Sequence, residues 1–172
     1  MTTHEAGPHP AWSQRLADSV DRVELRGLIE SYADGVTRRA WAEVEGLFIA
    51  DAELTLSLGS STHHFVGPGE FTAFIAGALD RFEFFEFVVL GTSFRLPAAR
   101  STDSGAQRET AAGRLYMSEL RQTADDHVWS QIFGCYEDEF VWTTEGWKFA
   151  RRSYRSLARR LTGLGEAEIV DS

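Results

Sequence analysis

Three strand-like segments follow one another in the second half of the chain, ETAAGRLYMSELRQT, HVWSQIFGCYEDEFVW and GWKFARRSYRSL, joined only by TADD and TTEG. Connections this short join antiparallel neighbours, so the three segments are expected to form a meander. Ahead of them FEFFEFVVLGTSFRL, rich in aromatic and β-branched residues, predicts a long, mostly buried strand, and the polar RSTDSGAQRE predicts a hairpin loop. The first half has a different period. In ADSVDRVELRGLIESYADGV the residues Val20, Val23, Leu28, Ile29, Tyr32 and Val36 form a helical stripe, with Asp18 or Ser19 as the cap. AWAEVEGLF predicts a short helix with Trp41, Val44 and Phe48 inward. AELTLSL and SSTHHFV predict two strands, and Phe71, Phe74, Ile75 and Leu79 mark a third helix after GPG. Helices first and strands afterwards predict an α+β fold, with three N-terminal helices packed on one face of a mostly antiparallel sheet. On this reading residues 1–17 are a flexible leader, 18–158 the domain, and 159–172 a tail.

A chain of 172 residues is one domain with room for a core. Its net charge of -9 argues against nucleic acid, whose binding needs clustered Lys and Arg. No apolar run approaches the roughly 18 residues that would span a bilayer. The single cysteine, Cys135, fits a reducing compartment, and the expected location is cytoplasmic. Of the five histidines, His4 and His9 fall in the leader, His63 and His64 are adjacent, and His127 follows two aspartates in a turn. No spacing among them suits a metal, so none is expected.

Strand alternation sorts the chemistry-bearing residues. Ile132, Gly134, Tyr136 and Asp138 share one face, and Phe133, Cys135, Glu137 and Glu139 the other. On the neighbouring strand Gly113, Leu115, Met117 and Glu119 fall on the same side as Tyr136. Tyr32 lies in the helical stripe and points inward, so its hydroxyl needs a partner. Arg151 and Arg155 are split from Arg152, and cross-strand pairing with Glu137 and Glu139 is their ordinary role.

The helix pair with LFIADAEL at its exit, GPGEFTAFI, and the closing YEDEFVWTTEGWKFARRSY occur in an order that resembles the SnoaL-like branch of the nuclear transport factor 2-like superfamily. The resemblance covers about residues 18 to 158. It implies a cone-shaped curved sheet around the helices, a deep, mostly apolar pocket and a homodimer. Members include polyketide cyclases, dehydratases, epoxide hydrolases, isomerases and non-catalytic proteins, so function rests on the pocket residues. The scytalone-dehydratase-type Tyr–Asp pair and two histidines fall at Val36, Thr37, Phe87 and Leu115, none of which can move a proton. Of the ketosteroid-isomerase-type site, the donors fall at Tyr32 and Asp138, and the base falls at Leu56.

What the resemblance implies is a cofactor-independent enzyme doing acid–base chemistry (cyclisation, dehydration or isomerisation) on a small hydrophobic, polyketide-derived molecule. Tyr32 and Asp138 would be its proton donors, and His63 or His64 the candidate for the missing base. Tyr136, Leu56, Phe87, Leu115, Met117 and Glu119 would contact the substrate. The alternative is a non-catalytic module that binds a hydrophobic ligand or a partner. A buried, ligand-sized cavity with a carboxylate or histidine in reach favours the enzyme, and a cavity filled by Phe87, Leu56 and Leu115 favours the module.

Overall fold

A computed structural model describes residues 10–96 and 110–162. The expected leader up to residue 9 with His4 and His9, the whole RSTDSGAQRE segment, and the tail beyond residue 162 lie outside the described residues. The elements are α1 (Pro10–Thr37), α2 (Trp41–Glu45), β1 (Phe48–Ser57), β2 (Thr62–Val66), α3 (Pro68–Leu79), β3 (Phe82–Arg95), β4 (Thr110–Thr123), β5 (Trp129–Thr143) and β6 (Gly146–Thr162). Three helices thus pack with one six-stranded sheet of order β2-β1-β6-β5-β4-β3. All neighbours are antiparallel except β1 and β6, which run parallel. No helix among the described residues is long and apolar enough to cross a membrane.

The first helix starts eight residues before the expected cap. Pro10 is its first residue, a position where its missing N–H costs nothing. Ser19 is therefore mid-helix, and its hydroxyl donates back to the Arg15 carbonyl. The stripe is also corrected at its N-terminal end. Leu25, Leu28, Ile29, Tyr32 and Val36 are buried, but Val20 and Val23 face solvent with Trp12 and Leu16. The buried stripe extends back through Leu25 to Asp21, where the Trp147 indole N–H donates to the carboxylate at 3.3 Å. A hydrogen-bonded acid thus occupies a position that hydrophobicity alone assigns to valine.

In α2, Val44 is buried, whereas Phe48 opens β1 instead of ending the helix. The strand β3, expected to be mostly buried, is a sheet edge. Phe82, Phe85 and Phe87 are buried, and beyond Val89 its residues are exposed or half-exposed. The close of the sheet is the two-residue loop between Thr143 and Gly146, where Gly146 takes a φ of 102° that other residues avoid.

Two bulges in β6 set what faces the interior. Opposite the regular strand β5, the β6 ladder skips Ala150 between Phe149 and Arg151, and skips Leu157 between Ser156 and Ala158. One extra residue reverses the facing of everything after it. Trp147 and Phe149 are buried before the first bulge, Arg152 and Tyr154 after it, and Arg159 lies opposite buried Ile132 after the second. The alternation on β5 is uninterrupted. Tyr136 and Asp138 are buried, and Glu137 and Glu139 are exposed and pair with Arg114 and Arg151.

Candidate active site

The concave face of the sheet and the helices enclose a cavity of about 270 Å³. Tyr32 from α1 and Tyr136 from β5 line its deep end, both almost fully buried, with their ring centroids 6.3 Å apart. Leu56, Phe85, Phe87 and Ile132 contribute apolar wall from the sheet, and Phe74, Ile75 and Leu79 from α3. Tyr154 of β6 stands beside Tyr136, ring centroids 4.9 Å apart. Its ring crosses Gly134, where a Cβ would lie 2.7 Å from the Tyr154 hydroxyl oxygen. Glycine at this position is what lets that ring lie flat across β5.

Glu119 of β4 is the cavity's carboxylate. Its Cα neighbours across the sheet are Phe87 and Ile132, both apolar, and its side chain is 18% exposed. Burial raises its pKa above the ordinary glutamate value, and the Arg121 guanidinium at 3.3 Å opposes the rise. The result is a carboxylate more basic than one in water. The phenols respond to burial in the same direction. Tyr32 and Tyr136 are held above the usual tyrosine range, and Tyr154 is pushed up to about 12 by burial and then by Glu119. At neutral pH all three are proton donors.

Beneath the tyrosines lies a charge that the sequence reading did not assign to the site. The Arg152 guanidinium sits 3.9 Å from the Tyr32 ring centroid, 4.0 Å from Tyr136 and 4.5 Å from Phe149. Cation–π attraction fits it to that aromatic box. Asp138 is its partner at 3.6 Å, with the two side chains 0% and 1% exposed. Neither Asp138 oxygen has a hydrogen-bond partner among the described residues, and burial outweighs Arg152 in pushing this carboxyl up to about 6. Arg152 in turn favours charge on Tyr32 and Tyr136, opposing their burial.

The structure therefore gathers Tyr32, Tyr136, Leu56, Phe87 and Glu119 around one cavity. Leu115 and Met117 are fully buried on the same face without lining it, and Asp138 is likewise buried behind the lining. The two imidazoles lie elsewhere. His63 packs 4.7 Å from the Phe74 ring, His64 is exposed and hydrogen-bonded to Thr55, and neither lines the cavity. Tyr154, Arg81 and Arg121 were not singled out by sequence, and Arg152 and Arg159 stood out there only as members of a basic cluster, with ion pairing as the expected role. The signal for Tyr154 was the glycine at position 134 on the facing strand. Among the described residues no group of three His, Cys, Asp or Glu side chains is arranged to hold a metal.

The family model of the SnoaL-like domain matches residues 17–153. The chain belongs to the SnoaL-like domain family. No curated protein sequence matches this SnoaL-like domain. Among solved structures it is similar to hexachlorocyclohexane dehydrochlorinase LinA-type3 from Novosphingobium barchaimii LL02, with 18% identity and a TM-score of 0.71 over 91% of this chain and 99% of that one. It is also similar to a protein from Novosphingobium aromaticivorans provisionally described as a scytalone dehydratase, with 16% identity and a TM-score of 0.68 over 88% and 97%. A nuclear transport factor 2-like protein from the same organism shares 20% identity at a TM-score of 0.66, over 85% and 88%. At these identities the likeness establishes the fold, a nuclear transport factor 2-like cone, and its SnoaL-like chemistry has to be argued from the cavity.

Proposed function

We propose that this SnoaL-like domain is a small-molecule enzyme that moves a proton on a hydrophobic, ring-sized substrate without a cofactor. The observation that carries the proposal is a desolvated carboxylate, Glu119, sharing one apolar cavity with three protonated phenols. The cavity is lined and not filled by Leu56 and Phe87, and it holds a carboxylate, which favours the enzyme over a binding module. Glu119 takes the base role first considered for His63 or His64, because it alone among these reaches the cavity wall.

The geometry suits abstraction of a proton beside a carbonyl. Glu119 lies opposite Ile132, four residues from Tyr136 along β5, about 13 Å at the rise of a strand. Side chains reaching in from both ends leave room for a ring between them. The Glu119 carboxylate takes a proton from carbon, and the electron pair of that C–H bond moves to the carbonyl oxygen. The phenols of Tyr32, Tyr136 or Tyr154 donate hydrogen bonds to the oxygen as its charge develops. Returning the proton to another carbon completes an isomerisation, and loss of a β-hydroxyl as water completes a dehydration. Closure of a ring by the same carbanion is a cyclisation.

The test does not require the natural substrate. Cyclic ketones such as the tetralones, incubated in D2O with the protein, are expected to exchange their α-protons faster than in buffer, followed by NMR. Glu119→Gln is expected to lower the rate by about 10²–10⁴-fold, the range of a positioned base. The rate is expected to fall as pH drops through a value above the ordinary glutamate pKa, because the protonated acid cannot accept. Exchange that survives in Glu119→Gln, or no exchange above buffer with the unsubstituted protein, would overturn the proposal.

A further inference from the structure

Three guanidinium groups converge on the same cavity, from Arg81, Arg121 and Arg159. They come from separate elements. Arg81 precedes β3, Arg121 is near the end of β4, and Arg159 is near the end of β6. The antiparallel order brings these three places to one end of the sheet. Arg81 and Arg121 both lie over the Phe82 ring, 4.8 and 5.0 Å from its centroid. Arg81 and Arg159 are exposed, whereas Tyr32 and Tyr136 are buried, so the arginines form the rim and the phenols the floor.

Several arginines elsewhere in this acidic chain have carboxylate partners, and Arg22 and Arg39 donate to backbone carbonyls. Arg151 pairs with Glu53 and Glu139, Arg114 with Glu137, Arg38 with Asp34 and Glu43, and Arg26 with Glu30. Arg121 has Glu119 at 3.3 Å, and among the described residues no carboxylate lies within ion-pair distance of Arg81 or Arg159. Cavity-lining charge is thus three guanidiniums against one carboxylate. The crowding is felt at Arg121, whose pKa is lowered by burial and, more weakly, by Arg159 and Arg81. Its Nε is buried and has no hydrogen-bond partner. Like charges held together beside a cavity, in a protein of net charge -9, are stabilised by an anion that all of them reach.

The geometry points to a substrate that is a carboxylic acid: a ring-sized apolar body inside, with its carboxylate on Arg81, Arg159 and Arg121 at the rim. This rests on the cavity being the substrate site, as proposed above, and adds the chemical class of the ligand. A guanidinium fork matches a carboxylate in plane and spacing, which a neutral carboxamide of the same size does not reproduce. Anchoring at the rim leaves the opposite end of the body, with its oxygen function, against Tyr32 and Tyr136, and Glu119 alongside the ring.

The experiment compares acids with their primary amides. Benzoate, 2-naphthoate and 6-oxo-tetralin-2-carboxylate, and the three amides, are titrated by calorimetry against the unsubstituted protein, Arg81→Gln/Arg159→Gln and Glu119→Gln. At least one acid is expected to bind about tenfold or more tighter than its amide, a difference of about 1.4 kcal/mol. The preference is expected to weaken with added salt. In Arg81→Gln/Arg159→Gln the acid is expected to lose that advantage while the amide binds as before, which also shows that the variant is folded. Glu119→Gln is expected to keep the preference for the acid even where proton exchange is lost, so failure of the base assignment and failure of the rim assignment give different results. Equal binding of acid and amide, a preference that survives in the double variant, or no binding by any of the six compounds overturns the inference.

Discussion

Gly134→Ala tests how the cavity wall is built. A Cβ at this position would lie 2.7 Å from the Tyr154 hydroxyl oxygen, 2.8 Å from Cζ, and nearer still to Cε2. Heavy atoms in good contact sit about 3.5–4.0 Å apart, so the ring has to retreat by about 1 Å. It is held on both sides, because Tyr154 pairs with Leu56 on β1 and with Tyr136 on β5. Its remaining direction is into the cavity. Overpacking of this kind costs about 1–3 kcal/mol, against a gain of about 0.5–1 kcal/mol for alanine over glycine within a strand. The clash wins, and the expected net loss is about 1–2 kcal/mol, or about 2–8 °C in Tm for a domain of this size. Urea unfolding is the assay, with an unchanged slope showing that the loss belongs to the folded state. Ligand protection is expected to weaken as well, since the displaced ring narrows the site. Tyr154→Leu provides the control. In that background Gly134→Ala is expected to cost little, giving a coupling energy of about 1–2 kcal/mol in a double-mutant cycle. A midpoint unchanged by Gly134→Ala, or the same loss with leucine at position 154, refutes the account of this wall.

Two further substitutions probe the buried charges. The Asp138 carboxyl is held at about 6, above the value of 3.8 for the exposed group, so its contribution is fully present below 3.8 and is lost as pH rises through 6. Asparagine does not titrate, so the stability of the unsubstituted protein relative to Asp138→Asn is expected to fall by about 2 kcal/mol between about pH 4 and about pH 7. A difference in urea midpoint that is flat with pH contradicts this. Asp21→Ala is expected to cost about 1–3 kcal/mol by stranding the Trp147 indole N–H, and Asp21→Asn to cost less because its carbonyl still accepts. Equal losses in thermal unfolding would show that the bond contributes nothing.

How far the sequence reached depends on whether the deciding contact is local. The faces of β5 were legible because alternation along one unbroken strand is a local property, and Tyr136 and Glu137 fell on opposite sides as expected. Arg152 was not legible as a site residue, since the Ala150 bulge that turns it inward exists only in the pairing of β6 with β5. Glu119 was placed on the correct face, but its desolvation comes from Phe87 and Ile132, on strands to either side. Val20 and Val23 misled because an apolar residue on a helix reports nothing about where its partners stop. Asp21 lay on the buried side instead, beside an indole 126 positions away in sequence.

The two bulges of β6 give this strand something like a reading frame. Between Phe149 and Ser156 the sequence is read one step out of phase with the segments on either side. Were Ala150 paired with Glu139 instead of bulged, Arg151, Ser153 and Arg155 would face the interior in place of Arg152 and Tyr154, whereas deleting Ala150 would remove the bulge and keep the present facing. Pairing Leu157 with Phe133 would act on the rim alone, turning Arg159 away and Ala158 inward. Cavity chemistry in this chain is therefore encoded twice, once in which residues β6 carries and once in where its two bulges fall.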